Sequence, residues 1–141
     1  MDVCQLCEVQ NETVLWRNAR CRIILVGDTD YPGFCRAIWN KHVREMTDLT
    51  KSQRAHFLNV VYALEQALRE LIQPHKINLA SFGNQVPHLH WHVTPRFEDD
   101  AHFPDPVWAA RRRPGKPHAI DRAKLTQALY ARLGGRQKNR E

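Results

Sequence analysis

Three of the chain's eight histidines fall at positions 88, 90 and 92. Alternate residues of a strand share a face, so an extended His88-Leu89-His90-Trp91-His92-Val93 would present imidazoles on one side and Leu89, Trp91 and Val93 on the other. Two chemistries could use such a row. One is metal binding. Same-face neighbours on a strand lie ~6.6 Å apart and the outer pair ~13 Å, while each nitrogen must come within ~2.1 Å of a zinc ion. Two neighbours can converge on one ion, but three from one regular strand are strained. The other chemistry is phosphoryl or nucleotidyl transfer. A neutral imidazole is a good nucleophile and leaves readily from a phosphoramidate, and its neighbours can hydrogen-bond phosphate oxygens as charge develops. Immediately upstream, Ser81-Phe82-Gly83-Asn84-Gln85 is a glycine turn whose N–H groups can hold non-bridging phosphate oxygens. Cys4-Gln5-Leu6-Cys7 is a C-x-x-C pair, open to redox, metal-binding or incidental readings. No P-loop glycine-lysine motif is present.

These residues need a scaffold. Segments 13–17, 20–26 and 34–39 read as strands, with turns at Asn18-Ala19, Gly27 to Asp30 and Tyr31-Pro32-Gly33. Cys21 and Cys35 fall within those runs and read as buried small apolar residues. Residues 48–72 are the clearest helix. Phe57, Val60, Val61, Leu64, Leu68, Leu71 and Ile72 form one apolar stripe, Asp48 or Thr50 can cap its start, and Pro74 follows its end. Segments 76–82 and 88–96 read as two further strands, and Asp121 to Leu133 as a short basic helix stopped by Gly134-Gly135. Strands on both sides of one long helix, without repeated βαβ units, predict an α+β fold with an antiparallel sheet. His56 is expected to face solvent. His102 and Trp108 could close over the site, although their stretch is expected on the sheet edge or at an interface.

The 141 residues, 43% hydrophobic and 26% charged, favour one compact domain and exclude a disordered or collagen-like chain. No run approaches the ~20 apolar residues of a membrane span, and Met1 to Gln5 lacks the basic-then-apolar pattern of a secretory signal, so the expected location is cytoplasmic. Residues 111–141 carry ten Lys/Arg and two Asp/Glu, against eleven and thirteen in residues 1–110. The net charge of +6 therefore belongs to the C-terminal segment, which divides the chain at residue 110. A basic segment can attract nucleic acid, but more often it is a solvated end. A chain ending near Pro117 is expected to keep its chemistry.

His88-Leu89-His90-Trp91-His92-Val93-Thr94 resembles the histidine triad motif of the HIT superfamily, His-apolar-His-apolar-His-apolar-apolar. Thr94 departs from it at the last position. Gly83 to Pro87, Pro95-Arg96, and Trp39-Asn40-Lys41-His42-Val43 with Met46 to Leu49 are also similar to the family, so the resemblance covers roughly residues 4–96. It implies a five-stranded antiparallel sheet with one long helix and a short C-terminal helix, commonly paired into a homodimer. It implies a hydrolase or nucleotidyltransferase acting at the α-phosphate of a purine nucleotide, such as a phosphoramidate or a dinucleoside polyphosphate, without a catalytic cofactor. His90 would be the nucleophile, and His92 would orient the phosphate. His88 would support His90 or bind metal. Gly83, Asn84 and Gln85 would contact phosphate, with Asn78 a weaker candidate and Arg96 either a phosphate ligand or an ion-pairing residue. Branches with an N-terminal C-x-x-C bind structural zinc, and the matching positions here are Cys4, Cys7, His42 and His88. A nucleotide- or nucleic-acid-binding module, with the basic segment on the polymer, is the alternative; a steep salt dependence would mark it.

Overall fold

The computed structural model describes residues 3–9 and 11–135. Five strands, β1 (Thr13–Arg17), β2 (Cys21–Leu25), β3 (Cys35–Trp39), β4 (Lys76–Ala80) and β5 (His90–Arg96), form one sheet in the order β1-β2-β3-β5-β4. Every neighbouring pair is antiparallel. Helix α1 (Lys51–Ile72) joins β3 to β4, and α2 (Arg122–Leu133) follows β5. The expected α+β class, the five strands and both helices are all present. No helix among the described residues is long and apolar enough to cross a membrane.

Alternation along the strands gives the sheet two chemically distinct faces. Cys21, Ile23, Cys35, Ala37, Trp39 and Val93 turn toward α1, where Phe57, Val60, Val61, Leu64 and Leu68 complete a common core. Both cysteines are fully buried, and burial pushes the Cys21 thiol up to about 12. Of the two candidate caps, Thr50 rather than Asp48 caps helix α1. The Thr50 hydroxyl accepts from the Gln53 amide, the Gln53 side chain accepts from the Thr50 amide, and Asp48 closes a separate turn at Met46–Asp48. His56 is half-buried rather than solvent-facing: its Nε2 is 2.9 Å from Asn18 Nδ2 in the turn between β1 and β2.

The expected strand 88–96 is shorter, beginning at His90. His88 and Leu89 are instead braced against the chain after β3, where the Leu89 amide donates to Val43 O and the Trp39 amide donates to Leu89 O.

The core crosses the charge boundary at residue 110. Leu125 and Leu129 of α2 are fully buried in the same cluster as the sheet residues, and Trp16 Nε1 donates to Gly134 O. Four arginines of the basic segment bond within the fold. Arg111 pairs with Asp30, Arg112 with Asp105, and Arg113 donates to Asp100 O. Arg132 reaches Gln66 and Glu70 of α1. Positions 136–141 lie outside the described residues.

Truncation near Pro117 is therefore not benign. Leu125→Ala alone is expected to cost ~2–5 kcal/mol. A chain ending at Pro117 should melt far lower still, and thermal unfolding followed by circular dichroism checks both. A truncated chain with an unchanged melting temperature would contradict this packing.

Candidate active site and metal centre

Where β5 meets the loop that precedes it, neighbouring backbone carbonyls set two histidines in opposite ways. His90 Nδ1 lies 2.6 Å from the carbonyl oxygen of His88. A carbonyl can only accept, so Nδ1 carries the proton and Nε2 the lone pair. His88 is reversed. Its Nε2 donates to the carbonyl of Trp39, which leaves Nδ1 as the lone-pair nitrogen.

His88 Nδ1 faces Cys4, Cys7 and His42. It lies 3.4 Å from each sulfur and 3.2 Å from His42 Nδ1, and His42 Nδ1 lies 3.3 Å from Cys7 Sγ. All four donor atoms fall within 4.8 Å of one another. Tetrahedral zinc with these ligands has donor–donor edges of about 3.3–3.8 Å. The four residues therefore fit a closed two-sulfur, two-nitrogen site that leaves no open coordination position. The knuckle carrying the cysteines is tied down independently, because Arg22 donates to Leu6 O.

His90 and His92 face a cavity of about 520 Å³. Their rings stack with centroids 5.1 Å apart. Phe34 packs tilted on His92 and Phe82 meets it edge-on. Gly83, Asn84, Gln85 and Val86 form one wall, Gln5 and Leu6 another, and Trp108 stands against Phe82 at the rim. Gly83 has φ +77°, which lets the loop turn there. Burial lowers the pKa of both histidines from the ordinary imidazole value. His92 falls to about 4, with the charges of His90 and Arg36 adding to burial. Both rings are neutral at pH 7.

Residues 8–99 match the model of the HIT domain family. The chain belongs to the HIT domain family. Two curated relatives named AP-4-A phosphorylase, from strains of Mycobacterium tuberculosis, are 28% identical over 78 residues, 51% of this chain and 40% of theirs. The match thus spans less than half the length of these relatives. A histidine triad protein from Marinobacter aquaeolei superposes with a TM-score of 0.71 at 28% identity, covering 86% of this chain and 91% of that one. A zinc-bound histidine triad family protein from Mycobacterium smegmatis shares the fold, with a TM-score of 0.60 at 23% identity over 88% and 85% of the two chains.

The HIT triad is thus divided here. His90 and His92 line the cavity, whereas His88 lies in the Cys/His cluster and reaches His90 only through its carbonyl. Gly83, Asn84 and Gln85 are at the cavity, as expected. Arg96 and Asn78 are not. Arg96 is 2% exposed and donates to both carboxylate oxygens of Asp100, to Asn78 Oδ1 and to Asp105 O. The guanidinium is spent on that network, and Asn78 is bound into it. Trp108 lies at the cavity, but His102 does not; its ring is buried 2.6 Å from the Tyr31 hydroxyl. Phe34 and Arg36 are cavity residues that the sequence reading did not single out. Arg36 on β3 lies opposite His92 on β5, and strand alternation alone places it on the histidine face.

The four-residue cluster is expected to hold one zinc ion per chain, measured by elemental analysis of untagged protein purified without chelator. A Cys4→Ser/Cys7→Ser variant should lose the ion and melt lower, because binding to a closed site adds to folding free energy. Folded, active wild-type protein with metal content near zero would contradict the assignment.

Proposed function

We propose that this HIT-family chain hydrolyses or transfers nucleotidyl groups at the α-phosphate of a purine nucleotide, through a covalent intermediate on His90. The observation that carries this reading is the bond from His90 Nδ1 to the His88 carbonyl, which leaves the other ring nitrogen unprotonated in a residue lining the cavity. Nε2 attacks the α-phosphorus, a P–N bond forms, and the bond to the leaving group breaks with its electron pair departing on that group. Water then attacks the same phosphorus. The P–N bond breaks, its electrons return to Nε2, and the nucleotide leaves as a monophosphate while the water's proton passes to the leaving group or to solvent. A different acceptor in place of water makes the reaction a transfer.

His92 is neutral and has one N–H to give a phosphate oxygen. Amides and side chains of Gly83, Asn84 and Gln85 suit the non-bridging oxygens. Phe34, Phe82 and Trp108 offer apolar surface to a base. Zinc at Cys4, Cys7, His42 and His88 would supply a structural cross-link, and the zinc-bound family protein from Mycobacterium smegmatis supports that choice of metal. The step assigned to His90 calls for no cofactor. AP-4-A phosphorylase as the name of a relative supports a dinucleoside polyphosphate among the substrates to be tried. The homodimer remains part of the proposal; β4 is an edge strand paired on one side only, to β5.

His90→Ala should lower kcat by roughly a thousandfold or more while nucleotide affinity changes by less than about threefold. Steady-state kinetics on adenosine phosphoramidate and on a dinucleoside polyphosphate, with direct nucleotide titration of the variant, checks this. Wild-type turnover in His90→Ala would refute the nucleophile.

A further inference from the structure

Three of the arginines on the site face of the sheet are wholly or partly buried, and they are not treated alike. Arg22, on β2, donates to both carboxylate oxygens of Glu12, to Asn40 Oδ1 and to Leu6 O. Arg96, on β5, is bound by Asp100, Asn78 and Asp105. Arg36, on β3 between them, has no hydrogen-bond or ion-pair partner among the described residues, and its Nε is buried with none. Glu12, whose charge acts on it electrostatically, is already held by Arg22.

This guanidinium is not loose. Its Cζ lies 5.8 Å from the Phe34 ring centroid, and the same ring packs on His92. Arg36 therefore shares one cavity with His90 and His92. Its burial opposes its charge, which lowers its pKa from the ordinary arginine value. A half-buried cation without a partner destabilises a fold, and it persists where a ligand supplies the partner.

We propose that Arg36 receives a second phosphate, beyond the α-phosphate held at His90 and His92, so that the site selects nucleoside di- and polyphosphates over nucleotides with an uncharged leaving group. This rests on the nucleotide reading above and deepens it. The α-phosphate already has donors in His92 and the Gly83–Gln85 loop. The planar fork of an arginine suits the two oxygens of a terminal or bridging phosphoryl group. In the reaction, Arg36 would balance the negative charge that builds on a departing phosphate chain, a charge an amine leaving group never develops.

Titration calorimetry of AMP, α,β-methylene-ADP and inorganic pyrophosphate, on wild type, Arg36→Met and Arg36→Lys, tests this. Wild type should bind the methylene analogue more tightly than AMP. Arg36→Met, which keeps the stem and loses the charge, should weaken the analogue by roughly 10- to 100-fold and AMP by less than about threefold. Arg36→Lys should recover part of the loss. Arg36→Met should also melt no lower than wild type, since it removes an unpaired cation. Equal losses for both nucleotides, no loss for either, or a lower melting temperature in Arg36→Met would each overturn the inference. Pyrophosphate separates it from the reading beneath it. Arg36-dependent pyrophosphate binding, with no affinity for either nucleotide, keeps the anion site and overturns the nucleotide reading. AMP binding with no preference for a second phosphate does the reverse.

Discussion

A single hydrogen bond, from His90 Nδ1 to the carbonyl of His88, sets the tautomer of the central histidine, on which the proposed chemistry depends. It decides which nitrogen of the central histidine is free. The same two residues of backbone settle the opposite tautomer for His88, whose Nε2 is taken by Trp39 O. Two imidazoles, two positions apart, thus offer lone pairs to different places. One nitrogen faces the Cys/His cluster and the other belongs to a cavity residue. Continuing β5 back through His88 as a regular strand would align the rings and lose this division of labour. Instead, Leu89 is backbone-bonded to both Trp39 and Val43.

The rest of the fold holds that arrangement still. The helix-facing side of the sheet is apolar and supplies most of the burial, with α1 across its middle and α2 against α1 and β1. The other side carries charge, and most of that charge is locked into networks at the two ends, around Glu12 and Asp100. The cavity lies between them. There His90 and His92 are kept neutral by burial, and Arg36 keeps a charge without a hydrogen-bond or ion-pair partner among the described residues. Strength at the flanks permits a less satisfied centre, as expected where structure is given over to ligand binding.

Periodicity made much of this legible. The apolar stripe of α1 and the alternation of β2 and β5 declared the layers, and His88 to His92 declared the site. The Cys/His cluster was legible only through family resemblance, since nothing in local spacing brings Cys4 near His88. Of the two readings open for Arg96 the structure has the ion pair, and Asn78 goes with it: Asp100, four residues beyond Arg96, turns back onto the guanidinium, Arg96 takes Asn78 on the neighbouring strand, and Tyr31 closes the network, none of which the sequence displays. Arg36 was missed for another reason. Within Phe-Cys-Arg-Ala-Ile-Trp it looks like a lone charge on a strand, and only its register with His92 discloses the cavity. The helix-docking role of α2 was hidden beneath the positive charge of its segment.

The most direct measurement is intact-protein mass spectrometry of wild-type protein quenched during a single turnover of an adenylyl substrate, followed by fragment mapping. The account predicts one nucleotidyl group per active site, on the fragment carrying His90 and linked through Nε2. It also predicts that the group disappears as free monophosphate forms. Product release with no adduct at any time, or an adduct on His92 or through Nδ1 of His90, would contradict it.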